Sequence, residues 1–276
     1  MKKTLTVLLI LLCVSLGSCR KNPRPLRVAC HNDLVPVVTL LGREYQKSFG
    51  VSILPVPCDA DSFSTTDSTN CDFLLTVDCT LVGRLLNDGT INTTTGFAYA
   101  TPAMVFRQDD NLPILALTDL ATLDRPLRMT IASDNDTLSQ IVKASFERNN
   151  ISLQGENAKI TLQPFLLEEM LSDGTRIRTS ADTMLQQLRD KETDVVVLWD
   201  FAVAEASSRQ SDDAFVIVEW PKNEQNTITI PICLLQDCTG FFECKAFINF
   251  VKSNRGSELL SSCFLTSCDE RVNETP

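Results

Sequence analysis

Leu26-Arg27-Val28-Ala29-Cys30, an amphipathic run over residues 33–49, Gly50, and a second β-rich segment at residues 51–57 decide how the rest of the chain is read. The first five residues suit a short strand. The next run has helical spacing and stops at a glycine, the common helix terminator. The third segment is again a strand. Residues 72–77 supply another, and their nearly unbroken apolar character suits a parallel strand covered on both faces. A helix begins at residues 81–86 and is stopped by Asn87-Asp88-Gly89. The same alternation continues downstream. Strands are expected at 103–107, 128–132, 158–164, 194–198, 214–220 and 227–235, with helices at 117–123, 137–149, 180–189 and 244–253. Asn254-Arg255-Gly256 closes or interrupts the last helix. Strands alternating with helices throughout imply an α/β chain of two doubly wound sheets.

The chain has 276 residues, 43% hydrophobic and 22% charged, enough for one large or two medium domains with a substantial core. Lys plus Arg number 25 against 35 Asp plus Glu, a net charge of −10. That balance argues against nucleic acid or an anionic membrane surface as partner, since phosphate binding needs clustered cations. The single histidine, His31, excludes His-rich metal sites and leaves any Ser-His or Cys-His enzyme one candidate base.

The N-terminus carries an export signal. Lys2 and Lys3 precede an almost continuously apolar run at residues 5–14, too short to span a bilayer as a stable helix. It ends in Leu16-Gly17-Ser18-Cys19, which resembles the bacterial lipobox, in which the cysteine is acylated and becomes the first mature residue. Residues 1–18 are therefore expected to be a signal peptide, Cys19 the lipid attachment point, and residues 19–25 a polar, Pro-containing tether. Loss of Lys2 and Lys3 takes the net charge from −10 to −12. No later segment is apolar for 18 residues, so the lipid is the expected membrane anchor.

Of the eleven cysteines, Cys13 leaves with the signal and Cys19 carries lipid, leaving nine in the body. Four lie at or before residue 79 and five at or after residue 233, with none among the 153 residues between. This distribution suggests one lobe built from both ends of the chain (26–98 and 232–276), with a cysteine-free lobe (99–231) inserted. In an exported protein, disulfides are then expected to staple the first lobe, one cysteine of the odd nine being left over. A structural zinc is the weaker use: C-x-x-C occurs nowhere, and the spacings are Cys233-x4-Cys238-x5-Cys244 and Cys263-x4-Cys268.

This order of elements resembles a type II periplasmic solute-binding protein, and within that class the molybdate-binding proteins of ABC transporters. Cys71-Asp72-Phe73-Leu74-Leu75-Thr76-Val77-Asp78 resembles that family's A-D-V-F-I-S-A-D strand, and Ala116-Leu117-Thr118-Asp119-Leu120-Ala121 its S-L-E-D-L-A turn. The segment from Thr193-Asp194 to Trp199 resembles A-D-A-G-I-V-Y. Lys245-Ala246-Phe247-Ile248-Asn249-Phe250 and Asn254-Arg255-Gly256 resemble the late A-x-x-F-x-x-F-x-x-S-x-x-G helix. Together the matches extend from Arg27 to about Leu265.

The resemblance implies two lobes joined by a hinge, the first lobe discontinuous, with a small solute such as a molybdate-like oxyanion held in the interlobe cleft and delivered to an ABC permease. It implies no enzyme and no cofactor. Ligands of open α/β sheets sit beyond the carboxyl ends of the strands, where helix N-termini offer N–H groups even in an acidic protein. Carried over residue by residue, the expected ligand-binding positions are Asn32 and Asp33 in the loop after the first strand, Ser62 in the next loop, Thr137 and Thr183 at helix starts of the inserted lobe, and Trp199 where the family has a tyrosine. Two departures stand out. Asp33 falls where the family has a serine that contacts the oxyanion; a carboxylate there either caps the helix or, facing the ligand, repels an anion by roughly 4 kcal/mol at about 4 Å and an effective dielectric of about 20. The Ser62 loop also lacks the family's glycines. If Asp33 faces the cleft, a cationic, amine-bearing or metal-containing solute fits better. His31, with Asp33 or Asp78, is the one candidate metal set at this mouth, against a polar loop residue. The competing function keeps the fold but loses the oxyanion site, leaving a sensor, metal-binding or assembly lipoprotein.

Overall fold

The computed structural model describes residues 24–58, 63, 70–131, 137–152, 160–164, 180–208, 215–223, 225–238 and 240–268. The signal segment, Cys19, most of the tether and Ser62 lie outside the described residues. The chain forms two mixed sheets. In the first, strand β1 (Leu26–Cys30) pairs in parallel with β2 (Ile53–Pro57) on one side and β3 (Phe73–Leu75) on the other. Strand β10 (Ile228–Leu235) then runs antiparallel between β3 and β4 (Ile91–Ala100), and the short β11 (Thr266–Ser267) closes the edge against β4. The second sheet is drawn wholly from the middle of the chain. Its order is β7 (Ile160–Pro164), β6 (Leu127–Ile131), β8 (Val195–Trp199), β5 (Pro102–Arg107) and β9 (Phe215–Glu219), with β5 antiparallel to both neighbours.

Helix α1 (Val35–Phe49) follows a short 3-10 turn over Asn32–Leu34 and ends where Gly50 adopts a left-handed φ of 72°, a conformation glycine takes without penalty. Its apolar stripe of Val37, Val38, Leu41 and Tyr45 packs on the first sheet. Helix α2 (Cys79–Asn87) follows β3; α3 (Thr137–Arg148), α4 (Ser180–Arg189) and α5 (Asp200–Ser208) belong to the second sheet. Helices α6 (Phe241–Val251) and α7 (Asn254–Ser262) return to the first. There Tyr45 meets Phe247 edge-on, with ring centroids 5.3 Å apart, and Phe250 at the same separation. Such pairs contribute roughly 0.5–1.5 kcal/mol each beyond their buried area. Glu44 of α1 and Arg255 of α7 pair at the surface, 3.2 Å apart.

Pattern reading assigns no strand to residues 91–100, yet β4 is the longest strand of the protein's described residues. Its first half, Asn92-Thr93-Thr94-Thr95, is polar because most of it faces outward, and the apolar residues come only near Phe97. The helix expected at 244–253 is α6, and a second, unexpected helix, α7, follows it, capped by Ser253, whose Oγ accepts the Gly256 N–H at 3.2 Å. Helix α5 was likewise not anticipated, and β8 runs one residue further, through Trp199.

Among the described residues no disulfide joins the nine body cysteines, where disulfides were expected. Cys30, Cys71, Cys233, Cys244 and Cys263 are buried and pack as small apolar side chains. Burial pushes the Cys233 thiol up to about 12, so it stays protonated. Among the described residues no helix is long and apolar enough to cross a membrane.

Candidate functional site

The chain passes between the sheets at two points. Thr101 separates β4 from β5, and residues 220–227 separate β9 from β10. The two crossings touch: the Thr101 and Thr227 hydroxyls are 3.3 Å apart. Asp200, the first residue of α5, clamps the first crossing. Its Oδ1 accepts the Thr101 N–H at 3.2 Å and the Phe201 N–H at 2.9 Å, while its own N–H donates to Thr101 O at 2.9 Å. Asn226 ties the second crossing to α3 by accepting from Ser145 at 2.9 Å and Arg148 at 3.0 Å. Burial raises the Asp200 carboxyl to about 6; the Thr101 and Phe201 N–H groups and Lys222 oppose that rise, and Glu219 adds to it.

Beside these crossings the carboxyl ends of the parallel strands of both sheets present their loops. After β1, His31 turns the chain: its Nδ1 accepts the Asp33 N–H at 3.3 Å and lies 3.8 Å from an Asp33 oxygen. Asn32 and Asp33 are only 2% and 5% exposed, because the 3-10 turn that carries them lies against helix α4 of the other sheet. Thr183 is on that helix, half-buried. Asn32, Asp33 and the helix of Thr183 are thus brought together across the two sheets. After β3, Asp78 caps α2 by accepting the Thr80 and Leu81 N–H groups at 2.7 and 3.0 Å, and Thr76 Oγ1 receives the Asp78 N–H at 3.0 Å. Thr137, at the start of α3, accepts the Cys79 N–H at 3.0 Å. The family resemblance implies Thr137 as a ligand contact. Here it forms a direct bond between the leading turns of two helices from different sheets.

The electrostatics follow from this geometry. The N–H groups that begin α2 are taken by Asp78 and Thr137, so that helix start already has its acceptors. The two acidic side chains at the mouth, Asp33 and Asp78, are both buried. Trp199 is 3% exposed and belongs to the main core cluster, opposite Pro102 on β5. Cys30 points into the core while His31 is half-buried, and burial holds the Cys30 thiol well above its usual range, with Cys58 and Cys71 adding to the effect. The pair therefore lacks an activated nucleophile. Asp33, Asp78 and His31 do not converge as metal ligands among the described residues. The cluster of three that does, Asp72, Cys238 and Cys244, is at the opposite end of the first sheet.

The Thr137 bond is testable. Replacing Thr137 by Ala removes the acceptor for the Cys79 N–H, a loss of about 1 kcal/mol. Small-angle scattering is expected to register a larger radius of gyration for the variant without solute, and an unchanged radius would remove this bond from the forces holding the sheets together.

Residues 26–262 match the family model of bacterial extracellular solute-binding proteins, and the chain belongs to that family. Solved structures share its fold. A substrate-binding domain of a putative molybdenum ABC transporter from Clostridium difficile superposes with a TM-score of 0.61 at 12% identity, covering 88% of this chain and 99% of that one. Iron-bound HitA from Pseudomonas aeruginosa gives 0.60 at 13% identity, covering 87% and 84%. The periplasmic molybdate-binding protein of Azotobacter vinelandii gives 0.58 at 10% identity, covering 87% and 98%. No curated protein sequence matches the chain.

Proposed function

We propose that this protein is a lipid-anchored receptor of the bacterial envelope, attached through Cys19, that captures a small solute between two lobes and hands it to an ABC permease. The lobes carry the first sheet, residues 26–100 with 228–276, and the second, residues 102–219, hinged at Thr101 and at 220–227, which moves the expected boundaries at 98/99 and 231/232 to the end of β4 and the start of β10. The observation that carries the reading is the convergence of Asn32 and Asp33 from one sheet with the Thr183 helix and Thr137 from the other, beside two touching crossings. Lobe closure about such crossings is the means by which a cleft sequesters its solute.

Two solute classes compete. Molybdate is named for one structural neighbour and a putative molybdenum transporter for another, and the fold offers helix N-termini for an oxyanion. The buried carboxylates of Asp33 and Asp78, and the use of the α2 N–H groups by the protein itself, favour a solute carrying amine or amidine character. We take the second as the better reading. Thermal shift against molybdate, tungstate, sulfate, phosphate, ferric and divalent ions and amino acids separates them. Stabilisation by a cationic or amine-bearing solute is expected, and Asp33→Ser is expected to weaken it at least about tenfold, or 1.4 kcal/mol. Stabilisation by molybdate alone would reverse the choice of solute. Silence across the panel would favour a sensor or assembly lipoprotein with the same fold. Export also places the nine body thiols in an oxidising compartment, where pairing becomes possible.

A further inference from the structure

We propose that Cys238 and Cys244 are a disulfide-forming pair that locks the end of the first sheet remote from the cleft. The inference rests on the exported reading, since it needs an oxidising compartment. The two sulfur atoms lie 3.0 Å apart, about 1 Å from bonding distance, and only five residues separate them in sequence. Cys238 is half-buried at the end of the turn after β10, where its N–H donates to Leu235 O at 3.2 Å. Cys244 is fully buried in the first turns of α6, its N–H donating to Gly240 O at 2.9 Å. That helix starts at Gly240 with no side-chain cap, so a covalent link supplies a restraint that the N-terminus otherwise lacks.

Asp72 stands beside the pair, its carboxylate within 4.8 Å of both sulfurs, and the three could be taken for a metal site. The surroundings speak against a cation. Asp72 is already held by the Arg24 guanidinium, at 3.0 and 3.2 Å, and by the Arg27 N–H at 2.9 Å. The Arg24 charge repels an incoming cation, and a tetrahedral zinc with Zn–S bonds of about 2.3 Å needs its two sulfurs well over 3 Å apart.

The oxidant is a disulfide, either of a protein thiol oxidase or of glutathione. Burial, the Cys238 sulfur and the Asp72 charge together hold the Cys244 thiol above its usual range, so the more accessible Cys238 reacts first. Its thiolate attacks one sulfur of the oxidant, forming a mixed disulfide and releasing one thiolate. The Cys244 thiolate then attacks Cys238 Sγ, displacing the second. Two thiols of this protein are oxidised, one disulfide is reduced to two thiols, and the two protons pass through water to the released thiolates.

Peptide mapping after thiol blocking tests the pair. In protein recovered from the bacterial envelope, residues 238 and 244 are expected in one cross-linked peptide, two mass units lighter than the dithiol. Purified, reduced, folded protein treated with oxidised glutathione is expected to give the same peptide and a midpoint raised by about 5 °C. Cys238→Ser and Cys244→Ser each abolish both effects. Closure in the tube with no protein in the envelope fraction would overturn the exported reading while leaving the pair's chemistry standing, and reduced thiols in the envelope sample would overturn the lock. Glutathione stalled on Cys238 without closure would overturn the pair. So would stoichiometric zinc that copurifies and shields both thiols.

Discussion

Replacing Gly256 by Ala is expected to destabilise the protein by at least about 3 kcal/mol, the scale of an overpacked core. The position has no room for a methyl group. A Cβ there would overlap the carbonyl oxygens of Val251 and Phe250, at the end of the preceding helix, and backbone cannot move aside as a flexible side chain can. The glycine is fixed by its neighbours. Ser253 caps α7 by accepting the Gly256 N–H, and its own hydroxyl donates to Phe250 O at 2.6 Å, pulling the two helix ends together. Helix α7 in turn carries Leu259 and Leu260 into the core. Urea unfolding of the variant beside Ser253→Ala, for which about 1 kcal/mol is expected, separates the collision from loss of the cap. A loss under 1 kcal/mol at Gly256 would mean that the helices can part freely.

Asp200→Asn is expected to act in the opposite direction. The carboxyl is raised to about 6 in the folded protein against an ordinary 3.8, so protonation favours the folded state. The contribution is fully present below about pH 4 and is lost as pH rises through about 6, leaving an ionised, half-buried group that costs up to about 3 kcal/mol at neutral pH. Asparagine keeps an oxygen for the Thr101 and Phe201 N–H groups and removes the charge. It forfeits a few tenths of a kcal/mol of favourable interaction with the start of α5. A net gain of about 2 kcal/mol at pH 7.5, shrinking to nothing near pH 4, is the expected result. Parallel stability curves for the two proteins between pH 4 and 7.5 would show that Asp200 does not titrate there. The charges facing Asp200 are Lys222 and Glu219, next to the second crossing, so salt is expected to modulate the gain only slightly.

The parts of the fold that were legible are those where burial and pattern coincide. The strand, helix and Gly50 stop at residues 26–50 are simple because one helix face and one strand meet one core. Residues 180–189 form the helix that their spacing and Ser180 start indicate. Strand β4 was hidden because its opening threonines are exposed and its partner β10 is distant in sequence, so only pairing makes it a strand. The Phe247-x-x-Phe250-x-x-Ser253-x-x-Gly256 stretch was visible as a motif, but its meaning, a cap and a contact between two helix ends, depends on the turn between them. At the candidate site, Asn32 and Asp33 could be placed from the loop after a strand. Their burial against α4 could not, since it depends on a helix about 150 residues away. The same holds for Thr137, whose acceptor role requires Cys79 from the other sheet. Asp200 gave no signal at all, being one acidic residue after an apolar run.

The position of β10 bears on how the chain acquires its structure. It fills the space between β3 and β4, although it is made about 150 residues after β3. A chain emerging N-terminus first has all five strands of the second sheet before residue 228, whereas the first sheet still lacks its central member. Closing so long a loop is slow, because its entropy must be overcome before any contact compensates. The N-terminal segment therefore stays open and extensible during synthesis, a state suited to passage across a membrane. Until β10 arrives, the facing edges of β3 and β4 are templates for wrong pairing.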